Sequence, residues 1–173
     1  NSRPDAYRYD NGNAWAGVFL AAAVYESNDL DAAERLLNVY LPLARNVGLP
    51  DHLITSHRLK SRIHFSRGNV DTAFQTLAEL ETVGHDRHLP RVVASARLER
   101  SRLFLLQGNQ PAARDEMQSA EDPSVWDAVA REARPAHEIE DLFIARIRFD
   151  LHFGDAASVI GRIDPEWRRA MSA

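Results

Sequence analysis

The sequence predicts an all-α fold made of tandem antiparallel helix pairs, and three observations carry that reading. A short phrase recurs: Asn28-Asp29-Leu30-Asp31-Ala32-Ala33, then Gly68-Asn69-Val70-Asp71-Thr72-Ala73, then Gly108-Asn109-Gln110-Pro111-Ala112-Ala113, with a weaker copy at Gly154-Asp155-Ala156-Ala157-Ser158-Val159. Its spacings are 40, 40 and 46 residues, within the range that marks a repeat array. The register holds between the copies as well: Leu49-Pro50 returns as Leu89-Pro90, and Ser61-Arg62 as Ser101-Arg102. No segment shows the sustained alternation of a half-buried strand. Each copy reads as a turn between two helices. Gly or Asn can take the left-handed conformation that ends a helix. The Asn or Asp beside it can accept from free N–H groups of the next helix. Ala33, Ala73 and Ala113 then stand where two helices cross closely.

Taken in order, residues 1–13 are polar and turn-prone through Asp10-Asn11-Gly12-Asn13 and read as a lead-in segment. Ala14 to Ser27 is the first helix, apolar on most sides through Trp15, Phe19, Leu20, Val24 and Tyr25. Such a helix is expected to be buried between neighbours, and the start at Asn1 rather than Met suggests a piece of a longer chain. Asp31, with Glu34 three residues on, can cap the second helix. Leu36, Leu37, Tyr40, Ala44 and Val47 keep the spacing of one buried face. Pro42 is expected to kink that helix. The third helix is predicted over Asp51 to Arg67 and the fourth over Asp71 to Val83. A fifth follows Pro90, and a sixth starts at Pro111, where a missing N–H costs nothing. Asp122 to Trp126 reads as an extra turn or short helix, with its segment ending near Pro135. The seventh helix is predicted over Ala136 to Phe153 and the eighth over Asp155 to Ile163, with a further helix starting at Pro165. The repeats are therefore about 14–50, 51–90, 91–135 and 136–173 of one domain.

Composition narrows the chemistry. At 173 residues with 45% hydrophobic and 27% charged residues, the chain has the make-up of a folded protein rather than a disordered one. It has no cysteine, which excludes disulfides, thiolate metal sites and a catalytic thiol and fits a reducing compartment. No apolar run reaches the length of a membrane span. The net charge of −4 is unevenly spread. Residues 1–50 carry four Lys/Arg against six Asp/Glu, residues 51–110 nine against six, and residues 111–173 eight against thirteen. A basic middle between acidic flanks does not suit a nucleic-acid surface along the whole array.

The helix pairs with Gly at the turn and Ala five residues later resemble tetratricopeptide-type repeats, with a longer period. The phrase Tyr25-Glu26-Ser27-Asn28-Asp29-Leu30-Asp31-Ala32-Ala33, followed by Leu41-Pro42-Leu43-Ala44-Arg45, resembles the helical-repeat region of large bacterial LuxR-type, ATP-dependent transcriptional regulators, the MalT-like group. Phe65-Ser66-Arg67-Gly68-Asn69, Leu105-Leu106-Gln107-Gly108-Asn109 and Trp126 fit the same group, and the resemblance covers about residues 14–163. It implies a right-handed α-solenoid in the cytoplasm. It implies a place between a nucleotide-binding module and a helix-turn-helix, with ATP on the former, DNA on the latter and no cofactor here. It also implies sensing of a small effector or a regulatory protein, with flanking domains of the same chain as further partners. The chain itself has no Gly-rich phosphate loop. It departs from the tetratricopeptide pattern where His57, Lys60, Arg97 and Arg100 replace large apolar residues early in the first helices.

The most unusual stretch runs from His57 to Arg67, with four basic residues, two histidines and no acid. Arg58 and Arg62 are i, i+4 on one helix face, and Arg102 holds the place of Arg62 one repeat later. First helices of a solenoid line its concave side. The three guanidiniums can thus converge on a carboxylate or phosphate, with Trp15, Tyr25 and Phe65 as apolar walls of an effector site. The plainer alternative is that these arginines pair with acids of adjacent helices or face water. The histidines form no metal-ligand set. Glu138, Glu140 and Asp141 read as a solvated helix start rather than an acid/base pair, and no nucleophile elbow is present. Enzyme activity is not expected. The function classes are a regulator's sensor and coupling region, a protein-interaction scaffold, and an enzyme accessory domain, in that order.

Overall fold

The computed structural model describes residues 3–47, 49–131, 142–154 and 156–172. Among them the chain forms α1 (Arg3–Glu26), α2 (Leu30–Val47), α3 (Pro50–Ser66), α4 (Val70–Asp86), α5 (Pro90–Leu106), α6 (Gln110–Ala120), α7 (Pro123–Ala130), α8 (Leu142–His152) and α9 (Ala156–Ser172), with no strand among the described residues. Consecutive helices pack pairwise, and α1, α3, α5 and α8 also touch in succession as one layer. The all-α solenoid expected from the repeat is the observed architecture.

The recurring phrase acts at the turns as its chemistry requires. Asn28, Gly68, Gly108 and Gly154 all have positive φ, between 61° and 86°. After α3, Asn69 N–H donates to the His64 carbonyl and Gly68 N–H to the Phe65 carbonyl, the paired bonds of a Schellman stop. The same two bonds recur after α1, after α5 and after α4, where His88 supplies the positive φ. Asp29 caps α2 and Asn109 caps α6, each accepting from the Ala three residues on. The expected cap at Asp31 is therefore displaced to Asp29. Asp31 and Glu34 instead hold the Arg67 guanidinium at the end of α3.

Ala33, Ala73 and Ala113 are fully buried at the helix crossings. A hydroxyl reinforces two of these crossings. Ser61 Oγ donates to the Ala73 carbonyl at 3.0 Å, and Ser101 Oγ to the Ala113 carbonyl at 2.7 Å. The core is a chain of small clusters, as in other quasi-one-dimensional folds. Ala21, Ala33, Leu37, Leu59 and Ile63 join α1, α2 and α3. Leu53, Ile54, Leu80, Val92 and Ala96 join α3, α4 and α5. Ala94, Leu98, Met117, Ala120, Val125 and Ala145 close the C-terminal part. The short α7 is fastened by Asp122, which accepts from Ser124, and by Trp126 Nε1–H, which donates to the Ala120 carbonyl at 2.7 Å.

Two expectations about boundaries are corrected. The lead-in segment is helical from Arg3: once the packed part of α1 exists, each added residue needs only propagation, not a new nucleus. Pro165 lies inside α9 rather than opening a new helix. Pro165 and the residue four before it, Gly161, are both exposed, so water can reach the carbonyl the proline leaves without a donor. Pro42 likewise sits on the exposed side of α2, which runs on to Val47. The predicted start of α8 at Ala136 lies outside the described residues.

The left-handed turn is directly testable. Nothing lies within 4 Å of a Cβ built at Gly68, so Gly68→Ala adds backbone strain without a clash. It should lower unfolding free energy by about 1–2 kcal/mol in urea titrations. Gly68→Asn, which copies Asn28, should lose clearly less.

Candidate functional site

The three arginines singled out in the sequence do converge on a carboxylate, and it belongs to the chain. Glu99 of α5 is 1% exposed. Arg62 grips it with both forks, Nε to Oε1 at 2.8 Å and Nη2 to Oε2 at 2.6 Å. Arg102 reaches Oε1 at 2.7 Å from one turn along the same helix. Arg58 Nε lies 3.4 Å from Oε2. Burial pushes the Glu99 carboxyl up, but the guanidiniums of Arg62, Arg58 and Arg102 outweigh it and hold the group well below the usual carboxylate range. Burial works against charge on Arg62 as well, and Glu99, with Tyr25 and Glu26 of α1 nearby, more than restores it.

The placement follows from repeat register. Arg62, Arg102 and Arg148 each stand six residues before a left-handed glycine, on α3, α5 and α8. These helices are neighbours in one layer, so the three side chains form a ladder. Sequence reasoning missed Arg148 because the last interval is 46 residues rather than 40; counting back from Gly154 reveals it. Burial, then the fields of Arg102 and Arg62, lower the Arg148 pKa. Glu99 was also missed. It occupies the place of Leu59 one repeat earlier, where a core leucine is the expected residue.

The aromatic residues divide. Tyr25 is half-buried beside Arg62, against the Ala21–Leu37–Ile63 cluster. Phe65 packs on Ala73, Leu77 and Leu103 nearer the α3–α4 turn. Trp15 is 39% exposed, tilted on Phe19 at 4.1 Å and edge-on to His52 at 6.3 Å. Ten residues separate it from Tyr25, about 15 Å along a helix, so the two rings do not wall one pocket. His52 and Ser95 are buried polar residues whose ring nitrogens and hydroxyl have no hydrogen-bond partner among the described residues. Ser95 lies one turn before Glu99 on the same face of α5. A separate cleft of about 370 Å³ between α6, α8 and α9 is lined by Arg114, Glu121, Arg146, Asp150 and Arg162, and by none of the six predicted residues.

A second polar junction joins three helices. His57 Nδ1–H donates to the Leu53 carbonyl at 2.7 Å. A carbonyl can only accept, so Nε2 carries the lone pair, and Arg45 Nη2 donates to it at 3.2 Å. The same Arg45 nitrogen donates to Glu79 Oε2 at 2.6 Å. Arg97 and Arg100, where the repeat pattern favours apolar residues, both pair with Glu81 of α4.

A model of one protein family, described as MalT-like TPR region, matches residues 12–162. The chain belongs to that family. Comparison with curated proteins and with solved structures finds no match. No helix of this MalT-like TPR region, among the described residues, is long and apolar enough to cross a membrane. The described residues contain no group of three or more His, Asp or Glu able to hold a metal ion; Glu138, Glu140 and Asp141 lie outside them.

Two measurements probe these junctions. Glu99→Gln removes one partner of a buried ion cluster and should cost about 3–5 kcal/mol of unfolding free energy, read by urea titration at neutral pH. Burial, with Arg45 and Lys60 nearby, lowers His57 to about 4, against the opposing pull of the Leu53 carbonyl and Glu79. A depressed folded-state pKa gives stability that is complete above the unfolded value of 6.5 and lost as pH falls through 4. His57 should thus account for about 3 kcal/mol of acid destabilisation in that window. His52 and His64, shifted the same way mainly by burial, act in addition. A pH series of unfolding curves on the chain and on His57→Gln isolates the His57 share as their difference.

Proposed function

We propose that this helical array is the sensing and coupling region of a LuxR-type transcriptional regulator. In this reading it binds a small effector or a regulatory protein and controls DNA binding by a helix-turn-helix module elsewhere in the polypeptide, with ATP on another module. The family match over residues 12–162 carries the reading. The role is non-catalytic and cytoplasmic.

The effector surface is the inner layer of α1, α3, α5 and α8. Arg58, Arg62 and Arg102 recognise an anionic group of the effector. Tyr25 and Phe65 flank them on α1 and α3, and Trp15 contributes farther along α1. Supporting this are the convergence of the three guanidiniums on one carboxylate and the unpartnered Ser95 hydroxyl on the same face as Glu99. Glu99 is then the internal competitor. An anion that takes over its arginines frees the link between α3 and α5, so occupancy alters the packing of successive repeats. That is a differential contact of the kind that coupling requires.

Thermal melting with a panel of dicarboxylates and phosphorylated sugars tests the effector. A ligand that binds only the folded chain raises Tm. In Glu99→Gln, where the competitor is gone, the same ligand should raise Tm more than in the unaltered chain, and in Arg102→Gln less. No shift from any member, together with saturable binding of an extended peptide, would replace the sensor by an interaction scaffold. Sequencing the intact parent polypeptide tests the regulator context: absence of both a nucleotide-binding loop and a helix-turn-helix would overturn it.

A further inference from the structure

One junction in the middle of the array is built with shorter side chains than the junction before it. At the 40-residue offset, Leu53, Ile54 and Leu80 are answered by Val93, Ala94 and Ala120. The first three are 0% exposed and, with Val92 and Ala96, fill the space between α3, α4 and α5. Their counterparts on α5 and α6 leave the equivalent space short of hydrocarbon. The extra helix α7 supplies part of what is missing through Val125 and Trp126, which join Ala94 and Ala120 in one cluster. The remainder is a cavity of about 270 Å³ where the end of α4, the start of α5, the end of α6 and the start of α7 meet.

Its wall is apolar, with Val93, Ala94, Ala120 and Val125 all buried, and its lip is rich in donors, with His85, His88 and Arg97. Arg97 gives its Nε–H to Glu81 at 2.8 Å and an Nη1–H to the Ser119 carbonyl at 3.0 Å. A guanidinium carries five N–H groups, so Arg97 keeps donors that no group among the described residues takes. His85 comes no nearer to Glu81 than 3.8 Å, and the His88 ring has no partner among the described residues. Asp122, the acid at the rim, is already committed to the backbone N–H and hydroxyl of Ser124. His88 also occupies the place of Gly48 one repeat earlier and holds a left-handed φ of 54°. Glycine takes that conformation without strain and histidine takes it at a cost. Residues held in such backbone cluster at functional sites.

We propose that this cavity binds a small molecule made of one apolar or aromatic ring and one carboxylate. The ring lies against Val93, Ala94, Ala120 and Val125, and the carboxylate meets Arg97, His85 and His88. About 150 Å³ of apolar cavity is enough to hold benzene, and donors without acceptors at the lip favour an anionic head over a neutral one. The site uses none of Arg58, Arg62 and Arg102 and stands independently of the effector surface on the inner layer.

Benzoate is the probe, followed by amide NMR spectra of the chain. It is expected to shift the amides of Gly84, Val93, Ala94 and Val125 saturably, with uncharged benzamide binding about tenfold more weakly or worse. Ala94→Ile with Ala120→Leu restores the side chains of the preceding junction. That pair is expected to keep Tm at or above its value in the unaltered chain, as cavity filling does, and to abolish the saturable shifts. His88→Gly, which copies Gly48, is expected to leave Tm nearly unchanged and to weaken benzoate about tenfold, the usual effect of losing one hydrogen bond to a charged group. The proposal is overturned if these amides show no saturable shift, if benzamide binds as tightly as benzoate, or if the cavity-filling pair binds benzoate undiminished. Should that pair lower Tm instead, His88→Gly decides, and unchanged benzoate affinity there overturns the proposal as well.

Discussion

Each helix pair depends on one backbone constraint: the chain must reverse within three residues, and it does so through a residue with positive φ. Asn28, Gly68, Gly108 and Gly154 meet that demand, and at the first three the paired Schellman bonds satisfy carbonyls that the helix ends would otherwise leave open. Antiparallel pairing follows from the reversal, and after the first three turns close packing follows from an alanine five residues later. Because the turns recur at nearly constant spacing, the same helical position returns to the same side of the layer. The arginine ladder of Arg62, Arg102 and Arg148 is a consequence of that periodicity rather than an independent feature.

Apolar burial alone specifies the relative placement of such repeats less sharply, because the hydrophobic effect is non-directional. Polar groups buried between helices are less forgiving. Ser61 and Ser101 each meet a specific carbonyl on the paired helix. Glu99 meets three guanidiniums from two successive inner helices, and Arg45 bridges His57 to Glu79. A buried carboxylate is tolerable only when its partners are in place, so the Glu99 cluster ties α3 to α5 in one arrangement. The Glu99 junction thus fastens the inner helices of two successive repeats to each other.

Much of the inner layer was legible from local spacing. That Arg58 and Arg62 share a face, and that Arg102 repeats Arg62, needed only helical periodicity and the 40-residue offset. The identity of their anion was not legible, because Glu99 stands where the preceding repeat has Leu59 and nothing local distinguishes a buried acid from a solvated one. Arg148 was hidden by the extra residues around α7. The cap fell on Asp29 rather than Asp31 because α2 starts at Leu30, which puts Asp31 inside the first turn, where it meets Arg67. Trp15, Tyr25 and Phe65 were grouped by residue type, but helix rise separates Trp15 from Tyr25, and Phe65 is held in a different cluster.

By itself the sequence determined the helix pairs, their turns and the repeat register, since these arise from φ preferences, capping and side-chain periodicity within a few residues. It also determined the family, through motifs tied to those turns. Only the tertiary structure decided which charges meet and that Glu99 is buried rather than solvated. Those outcomes depend on distances between residues some 30 to 40 positions apart, where small differences in helix packing decide whether a carboxylate reaches a guanidinium or water.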